Sequence, residues 1–212
     1  MPIEQPVESR SHRRWSEARE IVAVFLLSIT AILTAWCGFE SSKWGGQMSI
    51  QFSQASSARI QSVNLASESR DWQAVDLAIY MQWVDATASG DAALAEYYEE
   101  RFTAEFAVAF ADWQAGGESV KSPFAEPSYV PMGSEESAEK AKRADAKFAA
   151  ALESNQRGDN YSLLTVLFAM VLFFTAMSER NKAGWGGWFL LGLGAVVAIA
   201  GGIILATFPV LF

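Results

Sequence analysis

Cysteine and histidine are almost missing from this 212-residue sequence, which holds one of each. With Cys37 alone, no disulfide can close within the chain. With His12 alone, a histidine-based metal cluster within one chain is excluded. A Ser-His-Asp or Cys-His centre would have to draw on a residue ahead of the first apolar block. Calcium-loop, Walker, dinucleotide, H-E-x-x-H and G-x-S-x-G spacings are missing too. The expectation is no enzyme: no catalytic residue, no cofactor and no metal site. Positive charge is also short, with 16 Lys and Arg against 24 Asp and Glu. Phosphate backbones demand a basic face, so nucleic acid is not an expected partner. The Arg-rich segment 10–19 is interleaved with Glu17 and Glu20 and abuts an apolar block. It reads as a topology determinant touching anionic lipid.

What the chain has in abundance is apolar sequence, 51% of it, and its long uncharged runs fall in three blocks at 21–37, 161–177 and 185–208. Each is long enough to cross a hydrocarbon layer of roughly 30 Å. The segment between, 38–160, is polar and acidic. This layout predicts an all-α membrane protein: three transmembrane helices, with a helical extracytoplasmic domain between the first and second.

The end of the first block, "TAWCGFESSKWGGQ", decides whether it is retained. Signal cleavage wants small residues in an A-x-A-like pattern, and Trp36 stands directly before Cys37. The same tryptophan argues against lipoprotein processing. The block therefore reads as an uncleaved span, with Trp36, Phe39 and Trp44 as an interfacial aromatic belt.

Arg10, Arg13, Arg14 and Arg19 precede the first span, and Arg180 and Lys182 sit between the second and third. Positive charge favours the cytoplasm. The segment 38–160 carries ten Lys and Arg against nineteen Asp and Glu, and is placed outside. The expected order is a basic cytoplasmic N-terminus (1–20), span one (21–37), the extracytoplasmic domain (38–160) and span two (161–177). A cytoplasmic link (178–184), span three (185–208) and an external C-terminus (209–212) follow. The expected location is the inner membrane of a cell, multi-pass.

Within the insert, 46–88 lacks proline, and Trp72, Val75, Ile79 and Trp83 recur at helical spacing, as do Leu77, Met81 and Val84. A long helix buried on two sides near its end is expected. A second helix should begin at Ser89 or Asp91 and continue through Leu94, Tyr98, Phe102, Phe106 and Phe110 to Gly116 and Gly117. Prolines at 123, 127 and 131 forbid a helix and suggest a strap packed through Phe124, Tyr129 and Val130. Ser134 should cap a last helix that runs into the second span, with Gly158 as its weak point.

Two stripes invite a functional reading. Thr30, Thr34, Cys37 and Ser41, then Gln47, Gln51, Gln54 and Gln61, follow helical spacing along the first span and its extension. They suit either a pore lining built from several copies or plain helix contact, with hydroxyls bonding their own backbone. Gly194, Ala198, Gly202 and Ala206 make a smooth stripe on the third span. It serves packing within the chain, an oligomer contact, or both. The acidic runs "EYYEE" and "EESAE" read mainly as solvated helix faces.

The stretch "KWGGQMSIQFSQASSARIQ" after the first span, with "QASSAR" at 54–59, resembles small uncharacterised bacterial inner-membrane proteins grouped as a domain of unknown function. The resemblance implies a topology and no activity. The expected partners are the lipid bilayer, further copies of the chain in a channel-like homo-oligomer, or another envelope protein docked by the external domain.

Overall fold

A computed structural model describes residues 10–180 and 184–211, with side chains from Glu17 onward. Lys182 and Phe212 lie outside the described residues, as do the side chains of Arg10, His12, Arg13 and Arg14. The described chain is all helical: α1 (Arg10–Ala88), α2 (Ala92–Glu99), α3 (Ala104–Ala115), a 3-10 turn at Pro123–Ala125, α4 (Ser134–Arg180) and α5 (Gly184–Ala206). Stretches of α1, α4 and α5 are long and apolar enough to cross a membrane. The chain divides into two compact units, one holding the residues up to Ile50 and from Ala150, the other Gln51–Ala149.

In the first unit α1, α4 and α5 pack together. Ala23, Thr30, Cys37 and Trp44 are buried at intervals of seven along α1, and Ser154, Tyr161, Phe168 and Thr175 likewise along α4. A seven-residue repeat keeps one seam facing the partner helix. Residue numbers rise on one helix as they fall on the other: Ser41 and Ser162 share a hydrogen bond of 2.8 Å, and Trp44 lies against Gly158. The pair is antiparallel. The helix runs unbroken through Gly158, the weak point of the sequence. A Cβ there would sit 3.5 Å from Trp44 Cβ and from the Ser41 carbonyl, so the glycine is used for close approach. Trp44 is buried in this seam, whereas Trp36 and Phe39 face outward.

Helix α5 docks on α4 through Gly201, where a Cβ would fall 2.7 Å from Leu167 Cδ2 and 2.9 Å from Phe168 Cε1. Gly194 also lies inside, near Thr175, Phe174 and Leu26. Ser178 donates to the Gly187 carbonyl at 2.7 Å, fixing the other end.

In the second unit α1 and α4 again run antiparallel. Ser62 Oγ donates to the Ser137 carbonyl at 2.9 Å, and Ser137 Oγ returns the bond to Ser62 at 3.0 Å. Phe52 meets Phe148 edge on, and Arg59 pairs with Asp145. Beyond this pairing an aromatic cluster forms from Phe106, Phe110 and Trp113, with Tyr80, Trp83, Phe102, Phe124 and Tyr129 around them. The strap is therefore packed through Phe124 and Tyr129, while Val130 is exposed.

Three expectations for this unit need correction. The single helix expected from residue 89 to 117 is two helices. Asp91 caps α2 by accepting from Leu94 N at 3.1 Å. Thr103, with an extended backbone, caps α3 by accepting from Phe106 N at 3.3 Å. The ladder of Leu94 to Phe110 meets only in its last three members, because the break at 100–103 turns Leu94 and Tyr98 away. On α1, Trp72, Val75, Leu77 and Met81 remain exposed. The buried positions there include Ala55, Ala58, Ser62, Ser69, Asp76 and Ala86, with Tyr80 and Trp83 against the aromatic cluster.

Asp76 holds this unit's polar centre. It is 2% exposed, and its two oxygens accept from the Thr103 hydroxyl at 2.7 Å and the Tyr129 hydroxyl at 2.9 Å. One carboxylate thereby ties α1 to the start of α3 and to the strap. Burial first, then the bond to Asp76, then the charges of Asp76 and Glu105 push the Tyr129 hydroxyl well above its ordinary pKa of 10.0.

These contacts make three predictions. Gly201→Ala should cost about 1–3 kcal/mol through overpacking, whereas Gly202→Ala, with nothing within 4 Å, should be neutral. Thermal unfolding in detergent distinguishes them. Asp76→Ala should cost roughly 2–3 kcal/mol, since it strands two hydroxyls that donate to a charge. A pKa raised in the fold means that Tyr129's contribution is whole below about pH 10 and is lost as the pH rises further. Tyr129→Phe should flatten that alkaline loss, read by near-ultraviolet circular dichroism of the aromatic cluster.

Candidate functional site

The first unit places an acidic side chain where the apolar pattern gave no warning of one. Glu40 stands three residues past Cys37 and four before Trp44 on α1. Three- and four-residue steps keep all three on one helix face. Glu40 is fully buried, as is Cys37, and Trp44 is 4% exposed. They pack in and beside a cluster containing Tyr161, Leu164, Phe168 and Val171 of α4.

The segment after α5 completes this region. Helix α5 ends at Ala206, and residues 207–211 turn back with Phe208 and Leu211 packed on the same cluster. Phe208 meets the Tyr161 ring edge on, at 5.3 Å between centroids. The Tyr161 hydroxyl donates to the Pro209 carbonyl at 3.1 Å. The Leu211 N–H donates to Glu40 Oε2 at 3.1 Å. A carboxylate in an apolar surrounding is costly unless its oxygens are bonded. Here one oxygen is bonded. Glu40 Oε1 and the indole Nε1 of Trp44 are both buried without a partner. The Arg157 guanidinium lies over the face of the Trp44 ring, 4.7 Å from its centre, and also pairs with Glu153.

The polar stripe of α1 divides between roles. Thr30 is buried in the first unit with its Oγ1 unpartnered. Thr34 Oγ1 donates to the Thr30 carbonyl at 2.7 Å, a bond to its own backbone. Cys37 is buried, and Ser41 crosses to Ser162 of α4. Gln47 and Gln51 are half-buried, while Gln54 and Gln61 are exposed. In the second unit the buried seam runs through Ala55, Ala58 and Ser62, one position off the glutamines. Gln54 and Gln61 instead border a shallow groove of about 200 Å³ with Arg143.

The stripe of α5 divides as well. Gly194 is inside, and Ala198 packs on the cluster. Gly202 has open space beside it, and Ala206 is exposed. The closest approach belongs to Gly201, outside the predicted stripe.

Sequence reasoning missed Glu40 and Asp76. The signal for each was its place on the buried face: Glu40 falls between Cys37 and Trp44, and Asp76 lies seven after Ser69 and fourteen after Ser62. A charge at a seam position is the mark to look for. Among the described residues, no group of three or more His, Cys, Asp and Glu is gathered as a metal centre. No family model, curated protein or solved structure matches this chain.

Proposed function

We propose that the chain is a three-span inner-membrane protein that docks another envelope protein through its external helical unit. The N-terminus would lie in the cytoplasm and residues 38–160 outside, following the basic residues that flank the spans. One observation carries the docking reading: in the second unit α1 shows two exposed apolar pairs, Ile60 with Val63 and Leu77 with Met81, off its buried face, separated by the polar residues Ser67, Arg70 and Asp71. All four apolar residues are about half exposed or more. A helix with apolar residues on opposite faces is normally covered on both. Paired exposed apolar side chains on a water-facing helix offer anchor points for a partner, with the polar residues between them as its rim. A groove of about 580 Å³, floored by Phe52, Ala55 and Phe148 and edged by the Arg59–Asp145 pair, adds a second apolar recess.

A homo-oligomer is the second reading, and the open side of α5 at Gly202 and Ala206 favours it. Small residues with free space beside them let another helix approach closely. A channel-like assembly through the first span has less support. Thr30 and Cys37 are enclosed within their own unit, and Thr34 bonds its own backbone.

Crosslinking in native membranes separates the two. The docking reading expects an adduct heavier than the chain by something other than its own mass. Val63→Glu with Met81→Glu should abolish it while leaving thermal stability within about 0.5 kcal/mol, as surface substitutions do. An adduct of twice the chain mass, lost in Gly202→Leu, would establish the oligomer instead. A chain that crosslinks to nothing would contradict both.

A further inference from the structure

Glu40 Oε1 and Trp44 Nε1 are complementary orphans. An ionised carboxylate oxygen only accepts hydrogen bonds, and an indole N–H only donates. The two residues stand one helical turn apart on the same face of α1, and both are at least nine-tenths buried. They do not bond each other directly. Their polar neighbours are engaged: Glu40 Oε2 by Leu211 N–H, and the Tyr161 hydroxyl by the Pro209 carbonyl. Phe208 and Leu211 cover the cluster in which Trp44 sits.

We propose that Glu40 and Trp44 form a binding site for one enclosed water molecule, which accepts from the Trp44 indole and donates to Glu40 Oε1. Buried waters are found where otherwise unsatisfied polar groups converge, and they bond several of them at once. The ligand must carry both a donor and an acceptor. A monovalent cation would satisfy the carboxylate but be repelled by the indole N–H. A proton on Glu40 would leave the indole without an acceptor. Water meets both demands. The site would couple α1 to residues 207–211, since Glu40 holds the water through one oxygen and Leu211 through the other. This inference stands apart from the docking and oligomer readings, because it concerns atoms enclosed within one chain.

The full-length chain in lipid nanodiscs provides the test. Trp44→Phe, Glu40→Leu and the double variant are compared by melting temperature. The water predicts that the double variant melts no lower than the worse single variant, because either loss already removes the shared bridge. Two independent costs that add would overturn it. Should Glu40→Leu fail to fold, the Trp44 indole proton, identified by its disappearance in Trp44→Phe, is examined by NMR for a cross-peak to water. The cross-peak supports the site, and a folded protein without it overturns it. A melting temperature that responds to exchanging sodium for potassium, and reverts in Glu40→Gln, would also overturn it in favour of a cation.

Discussion

The antiparallel pairing of α1 with α4 is the contact on which each unit depends. In the first unit small and polar contacts, Ser41 to Ser162 and Gly158 against Trp44, share the seam with the buried rings of Tyr161 and Phe168. In the second, Ser62 and Ser137 exchange hydroxyl-to-carbonyl bonds, with Ala55, Ala58 and Ala144 closing the seam. Small side chains bring helix axes close, and close axes multiply weak dispersion contacts. Hydroxyls at the seam bond across it without needing charge. The hydroxyl bonds and the close backbone approach serve in lipid and in water alike, since neither relies on expelling water. In the proposed arrangement the same two helices occupy both media.

Around that common pairing the two units add different things. The first adds α5, an almost wholly apolar helix seated on α4 by the absent side chain of Gly201. The second adds α3 and the strap, drawn together by eight aromatic rings and by Asp76, and α2, whose Glu99 accepts from the Trp83 indole at 2.8 Å. Aromatic edge-to-face pairs such as Trp83 with Phe110 contribute beyond their buried area. Asp76 supplies direction that such rings lack, because its two oxygens fix which hydroxyls must face it.

The coarse architecture was legible because it rests on long patterns. Three uncharged blocks announced three long helices. The lack of proline across 46–88 announced the extension of α1, and prolines at 123, 127 and 131 announced the strap. Single-residue choices were harder to read. The i, i+4 ladder from Leu94 to Phe110 is as good a helix as the two real ones. Only Thr103, whose hydroxyl both caps α3 and donates to Asp76, decides for the break, and Asp76 is distant in sequence. The glutamine row followed the right period yet stood one position from the buried seam, since period alone does not say which row faces the partner. Gly194, Gly201 and Gly202 look alike as letters. Their different surroundings arise from the facing residues of α4.

The placement of residues 38–160 outside the cell membrane is the claim on which the functional proposal turns. It is tested most directly by single-cysteine labelling in a Cys37→Ser background. Lys121→Cys should react with an impermeant thiol reagent in intact cells stripped of their outer membrane, and Ser9→Cys only after lysis. Labelling of Ser9→Cys in intact cells with Lys121→Cys protected would invert the orientation and contradict the proposal.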